Sequence, residues 1–217
     1  MNHEWLDRLE RKYRRYSISN LMSFIVMGMG LIYITDLVLH PLLGFSISSL
    51  LAFDRAAILH GQIWRLVTFI FIPPNSSILF IILSLYFYWV IGTGLVSQWG
   101  SFRFNVFYLF GIIGTIIAGM ITGYTTNTYL NLSLFLAFAM VYPDFQVNLF
   151  YILPIKVKYL ALIDALSIVG MFITATLSGK LAVLMSIINV IIFFWSDMVQ
   201  NIRNAKRRYE WRKKFKN

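Results

Sequence analysis

The stretch SILFIILSLYFYWVIGTGLVSQWGSFRFNVFYLFGIIGTIIAGMIT, residues 77–122, contains a single charged side chain, that of Arg103. Apolar runs at 77–96 and 104–122 lie on either side of a short turn. Each run is close to the roughly 20 residues that a helix needs to cross a bilayer, so the stretch predicts two membrane-spanning helices. Further apolar runs predict four more spans, at 21–39, 128–142, 159–177 and 181–196.

The composition also favours an all-α polytopic membrane protein. Hydrophobic residues make up 59% of the 217 residues and charged residues only 13%, against about a quarter in soluble domains. One soluble core of this size cannot bury so much apolar surface. The sequence has no cysteine, which excludes disulfides, thiolate metal sites and a cysteine nucleophile.

The basic residues are segregated rather than patched among aromatic residues, which argues against a nucleic-acid partner. Sixteen of the 19 Lys and Arg lie before the first span, in the turns after the second and fourth spans, or after the sixth. The other three are Arg55, Arg65 and Lys180. Because basic residues favour the cytoplasmic side of a membrane, the asymmetry predicts that both termini are cytoplasmic.

Three parts are predicted along the chain: a cytoplasmic amphipathic segment at 1–20, a membrane domain at 21–196 and a basic cytoplasmic tail at 197–217. Acidic residues among the basic ones, and no small-residue cleavage site, argue against a signal peptide at the start. We expect both terminal segments to bind anionic lipid. The short loops, the lack of cysteine and the basic tail favour a multi-pass protein of a bacterial plasma membrane.

The one long connection, at about 40–75, is apolar but interrupted by proline and glycine. This pattern is typical of a re-entrant or interfacial loop rather than a soluble ectodomain. Trp64 and Arg65 lie at its centre. We expect the Arg65 guanidinium to donate to loop carbonyls while the Trp64 indole packs beneath it.

The segment at about 53–143 resembles the rhomboid superfamily of intramembrane proteases and their inactive relatives. Trp64 and Arg65 match a motif in the first loop of that family. The family's turn between the second and third spans is matched by Gly100, Ser101, Arg103 and Phe104. The resemblance implies a six-helix rhomboid-like bundle with a long membrane-associated first loop.

Rhomboid proteases carry a Gly-x-Ser-Gly motif on the fourth span and a histidine on the sixth. The histidine activates the serine as a base, and the glycines allow backbone donors to reach the oxyanion. By the resemblance, the position of the lost nucleophile falls at Thr128 and Tyr129, where no glycine is present. No histidine follows His60. The resemblance therefore implies a relative without catalytic residues.

Polar side chains within the fourth and sixth spans form a candidate polar cleft, consisting of Asn131, Ser133 and Asn189. Two interpretations are open: hydrogen bonds that join helices, or a cleft that receives a client or a lipid. The third span has a small-residue face that predicts close helix packing, at Gly111, Thr115, Gly119 and Gly123. The sequence suggests no metal site and no cofactor.

Three functions are compatible with these features. The favoured one is a catalytically inactive rhomboid-like protein, similar to derlins, that binds transmembrane or lipid partners. The second is an atypical intramembrane serine protease that cleaves transmembrane substrates and uses Thr128 or Ser133. The candidate bases are Lys180, although a lysine at the end of a span is ordinarily a membrane anchor, and His60, in an arrangement unlike that of the family. The third, a small transporter, is disfavoured because the sequence has no obvious inverted repeat and no charged path at mid-membrane.

Overall fold

The computed structural model describes residues 4–74, 77–149, 153–174, 180–181, 183–184 and 187–194. The predicted tail at 197–217 and parts of the fifth and sixth predicted spans lie outside these residues. The chain is mostly helical, which confirms the all-α class. Its helices are α1 (Glu4–Tyr13), α2 (Leu21–Leu43), α3 (Ile47–Leu51), α4 (Arg55–Leu59), α5 (Arg65–Thr68), α6 (Ile78–Thr122), α7 (Thr128–Val141) and α8 (Val157–Thr174).

Shorter elements complete the described chain. Two 3₁₀ turns follow α1 and α5, at Arg14–Tyr16 and Phe69–Phe71. Strands β1 (Gln146–Leu149) and β2 (Leu153–Lys156) pair antiparallel between α7 and α8. Residues 187–194 are helical.

Helix α6 consists of two helices joined at one glycine. Gly100 has φ 78° and ψ 160°, a backbone region that is essentially restricted to glycine. We call the two parts α6a (78–99) and α6b (101–122). The predicted turn residues Gly100 and Ser101 therefore lie where one helix ends and the next begins.

Contacts with α7 show that the chain reverses at Gly100. Phe135 of α7 packs on Phe87 of α6a. Seven residues later, the hydroxyl of Tyr142 donates to the carbonyl of Gly94, which also lies later in α6a. The order is the same on both helices, so α7 runs parallel to α6a. Because α7 begins after only a short connection, 123–127, and returns along α6b, the halves α6a and α6b are antiparallel.

Two helical segments, Leu21–Leu42 and Ile78–Thr122, are long and apolar enough to cross a membrane, judged by length and composition, and the second is the segment that reverses at Gly100. The outer faces of α2, α6 and α8 also leave large apolar side chains exposed, such as Leu31, Leu79 and Ile173. Such surfaces are unusual on a soluble monomer and compatible with membrane association. The arrangement of six spans stays a prediction.

The first loop differs from the sequence-based expectation in where it begins and in its helical content. Helix α2 continues to Leu43 and ends at Gly44, which has a φ of 73° that favours glycine, so the first loop begins later than residue 40. The loop is also not irregular, since it folds into α3, α4 and α5. Short helices of this kind have no period long enough to be read from the sequence.

The predicted turn residue Arg103 holds α1 against the bundle. Its Nη2 atom lies 2.7 Å from Asp7 Oδ1, and its Nε atom lies 2.9 Å from Glu10 Oε2. Leu6 of the same helix is fully buried. The predicted amphipathic segment is therefore fixed to the end of the bundle that carries the Gly100 turn.

The hairpin of β1 and β2 was not expected in an apolar all-helical pattern. Asp144 precedes it and accepts hydrogen bonds from Lys158 at 3.0 Å and from Lys156 at 3.1 Å. The Lys158 hydrogen bond, followed by that of Lys156, lowers the pKa of Asp144. These ion pairs join the start of the hairpin to the start of α8.

Gly100→Ala should lower the free energy of unfolding by about 1–3 kcal/mol, because a side chain is strained at this φ and ψ. No atom lies within 4 Å of an added Cβ, so the loss would come from the backbone and not from a clash. Unfolding in detergent micelles measures it. The control is Gly170→Ala, also with no atom within 4 Å but in a regular helix, which should be neutral or stabilising. Equal stability of the two variants would contradict the interpretation.

Candidate functional site

The first-loop motif caps the short helix α3. The last carbonyls of a helix have no partner within it, and here they belong to residues 49–52. Arg65 Nη1 donates to the carbonyls of Ser49 at 2.9 Å and of Ala52 at 2.6 Å. Trp64 Nε1 donates to the carbonyl of Leu50 at 3.3 Å, and Thr68 Oγ1 donates to that of Leu51 at 2.9 Å. Three side chains from one turn thus satisfy four consecutive carbonyls.

The predicted hydrogen bonds from the Arg65 guanidinium to loop carbonyls are present, but the predicted packing of the Trp64 indole beneath it is not. The guanidinium is buried and bonded to loop carbonyls, and its Nε also donates to Gln62 Oε1 at 2.7 Å. The indole of Trp64 does not pack beneath it but is half exposed. The physical reason is the indole N–H, whose acceptor is the carbonyl of Leu50.

The other end of α3 is held by an acidic side chain from α2. The carboxylate of Asp36 accepts hydrogen bonds from the backbone N–H of Ile47 and from both the N–H and the hydroxyl of Ser48. Ser46 caps the same end by accepting from the N–H of Ser49 at 3.3 Å. A negative charge at the start of a helix and a positive charge at its end both suit the helix dipole. Sequence reasoning missed Asp36, although an acid near the end of an apolar run was a usable signal.

The first loop is fixed to the ends of α6b and α7. Phe53 is fully buried against Gly119, where an added Cβ would overlap its ring. The guanidinium of Arg55 donates to the carbonyl of Met120 at 3.1 Å, near the end of α6b. These contacts place the loop over the end of the bundle at which α6b ends.

Asn127 joins the same loop to the start of α7. Its Nδ2 donates to the carbonyls of Ile70 at 3.1 Å and Ile72 at 2.8 Å. Thr128, at the position of the lost nucleophile, follows it directly and is exposed, whereas Tyr129 is half-buried. Sequence reasoning missed Asn127, because only the fold brings residues 70–72 beside it.

The candidate nucleophile Ser133 and the candidate bases Lys180 and His60 have other partners, whereas the candidate nucleophile Thr128 is exposed. Ser133 is fully buried, and its hydroxyl donates to the carbonyl of Leu130 at 2.7 Å, within its own helix. Lys180 lies over the ring of Phe172 at 6.0 Å. His60 is exposed on α4, where a ring nitrogen lies 2.7 Å from the carbonyl of Ala56. The geometry therefore joins none of these groups into a nucleophile and base pair.

The two asparagines of the candidate cleft are buried, but they are not bonded to each other. Asn189 Nδ2 donates to the carbonyl of Phe107 at 3.4 Å, a long bond. Asn131 lies instead beside Tyr88, whose hydroxyl interacts with its amide. Tyr88 is also close to Tyr108. We call Tyr88, Tyr108, Asn131 and Asn189 the polar layer.

The small-residue face of the third span has two different roles. An added Cβ at Gly111 would overlap Leu130, and one at Gly119 would overlap Phe53, so both glycines allow close packing as predicted. Thr115, buried between them, donates to the carbonyl of Gly111 at 2.8 Å. Gly123 does not pack: no atom lies within 4 Å of its Cβ position, and its φ of 95° ends α6.

A groove opens beside α6a, near the end of α7. It encloses about 430 Å³ and is lined by Trp89, Val90, Thr93, Gly94, Phe138, Tyr142 and Phe145. Its polar groups are few, and the Tyr142 hydroxyl is already bonded to the carbonyl of Gly94 at 3.2 Å. We call it the lateral groove. Sequence reasoning missed it because its walls come from distant segments.

No protein-family model matches the chain, and no curated protein does. The rhomboid resemblance therefore rests on the first-loop motif and the Gly100 turn. Among the described residues, no three His, Cys, Asp or Glu side chains lie close enough together to hold a metal ion. The lateral groove and the polar layer are the features from which a function can be argued.

Arg65→Ala should lower the free energy of unfolding by about 3 kcal/mol, because two part-buried carbonyls would lose their charged donor. Arg65→Lys should recover only part of this loss, since an ammonium cannot reproduce the guanidinium fork. The exposed Arg14→Ala is the control and should stay within about 0.5 kcal/mol of the parent protein. Unfolding in detergent measures all three, and a lysine variant as stable as the parent would show that charge alone is needed.

Proposed function

We propose that this chain is a catalytically inactive, rhomboid-like integral membrane protein that binds transmembrane or lipid partners. The observation that carries the proposal is the lateral groove. Its volume of about 430 Å³ lies within the range of roughly 300–1,000 Å³ that is usual for ligand sites. Aromatic and apolar walls suit an acyl chain or the apolar face of a helix.

The surroundings of the lateral groove support entry from the bilayer. Leu83 and Tyr86 of α6a are exposed just before the groove residue Trp89, which is itself 43% exposed. The main packing partners of α8 are α7 and β2, and its outer face exposes Leu166 and Val169. A partner embedded in lipid could therefore reach the groove without crossing water.

Catalysis is the weaker alternative because of the state of Ser133. A serine becomes a nucleophile when a base takes its proton and when the hydroxyl faces the substrate. The Ser133 hydroxyl donates to Leu130 and is fully buried. Both features favour a serine that stabilises its own helix.

The distribution of charge supports the proposed orientation in a plasma membrane, with both termini cytoplasmic. Arg103, α1 and the ion pairs of the hairpin lie at the end of the bundle where α6a meets α6b. Arg65 and Arg55 lie in the first loop, which covers the opposite end. The basic face of α1 would contact anionic lipid, each exposed basic residue contributing about 1 kcal/mol.

The proposal predicts that the pure protein does not react with a fluorophosphonate, because the Ser133 hydroxyl is buried and bonded and no histidine follows His60 to activate the exposed Thr128. Labelling is followed by gel fluorescence, with a heat-denatured sample as the control for non-specific reaction. Labelling that is specific to the folded protein and abolished by Ser133→Ala would replace the proposal with the protease alternative.

Photo-crosslinking in cells tests partner binding. A benzophenone amino acid at Trp89 or Phe145, which line the lateral groove, should capture a discrete partner that mass spectrometry identifies as a transmembrane protein or a lipid. The control position is Phe24, an exposed aromatic residue on α2. Capture that is identical at Trp89, Phe145 and Phe24 would show a uniform lipid environment and would contradict a site at the groove.

A further inference from the structure

The polar layer contains polar atoms without protein partners in a buried position. Tyr108, Asn131 and Asn189 are 1%, 6% and 3% exposed. Among the described residues, no group bonds to the Tyr108 hydroxyl, to Asn131 Oδ1 or to Asn189 Oδ1. Buried polar groups in folded proteins nearly always have a protein or water partner, so three at one level require an explanation.

These groups come from four separate helical segments and meet around one stretch of α6b. Tyr88 of α6a lies beside Asn131 and within electrostatic range of Tyr108. Asn189 bonds to the carbonyl next to Tyr108 in the chain, that of Phe107. Its amide also lies over Gly111, where Nδ2 would be 3.1 Å from an added Cβ. The missing side chain at Gly111 thus leaves room for the Asn189 amide beside the side chain of Leu130.

We propose that the polar layer is a binding site for internal water within the helical bundle. Two of the unpartnered atoms are amide oxygens, which only accept, and the third is a hydroxyl, which both donates and accepts. A water molecule donates two hydrogen bonds and accepts two, and buried waters typically have two to four such polar partners. Turning either amide over exchanges its oxygen and nitrogen, but it still leaves one group of that side chain without a protein partner.

A neutral guest fits this site better than a cation. The layer contains no carboxylate, and its oxygens are those of amides and phenols. A cation held there would keep its full charge inside an apolar bundle, which is costly. This inference uses only the polar layer and is independent of the lateral groove and of the proposed function.

Radiolytic footprinting of the full-length protein in ¹⁸O-labelled water tests the proposal directly. Hydroxyl radicals form from bound water as well as bulk water, so Tyr108 should gain ¹⁸O although it is buried. Phe69 is the control, since it is equally buried and packs edge-on against the ring of Phe53. Labelling of Tyr108 above Phe69 supports the site, whereas equal labelling of both overturns it.

The sign of a stability change gives a second test. Tyr108→Phe should lower Tm by about 2–4 °C if the hydroxyl holds water, given the size of the chain. If the hydroxyl is unpartnered, its removal relieves a buried polar group and should raise Tm. Tyr86→Phe, which removes an exposed hydroxyl from the same helix as Tyr88, is the control and should leave Tm unchanged. A rise or no change for Tyr108→Phe overturns the proposal.

Discussion

The structure depends on one constraint: backbone polar groups that leave a helix in an apolar environment need partners from side chains. The first loop meets this constraint over most of its length. Asp36 accepts from the amides that open α3, Arg65 donates to the carbonyls that close it, and Asn127 donates to the carbonyls that follow α5. Each of these side chains makes at least two such bonds, so a few charged and amide groups hold a segment that lacks long helices. The loop can then form a fixed surface on the bundle.

The helices were predictable because length and apolar content alone distinguish a long run from its flanks. The chain reversal at Gly100 was also readable, since a glycine in a polar interruption marks a place where a helix can break. Other features depend on residues far apart in sequence. Arg65 could be expected to bond carbonyls but not to cap α3, because α3 was not recognised. The hairpin at 146–156 and the lateral groove arise from pairings that no local pattern encodes.

Polar groups are used in two contrasting ways in this chain. At the first loop they are paired with backbone atoms, and they fix geometry. In the polar layer, the side-chain oxygens of Asn131 and Asn189 have no hydrogen-bond partner among the described residues, although each side chain is nearly inaccessible. The sequence left two interpretations of these asparagines open, helix association and a polar cleft. Features of both are found in the polar layer. Asn189 does join two helices, by a long bond to Phe107, and it also adds polarity to the interior.

The ion pairs of Arg103 have a consequence for the time course of synthesis. The guanidinium binds Asp7, which precedes it by 96 residues in the chain. At about 5–20 residues per second, a ribosome needs on the order of 5–20 s to make that distance. During this interval α1 has no docking partner, and its basic face is available to the membrane surface or to the translocation machinery. Helix α1 is therefore made well before its ion-pair partner on α6b.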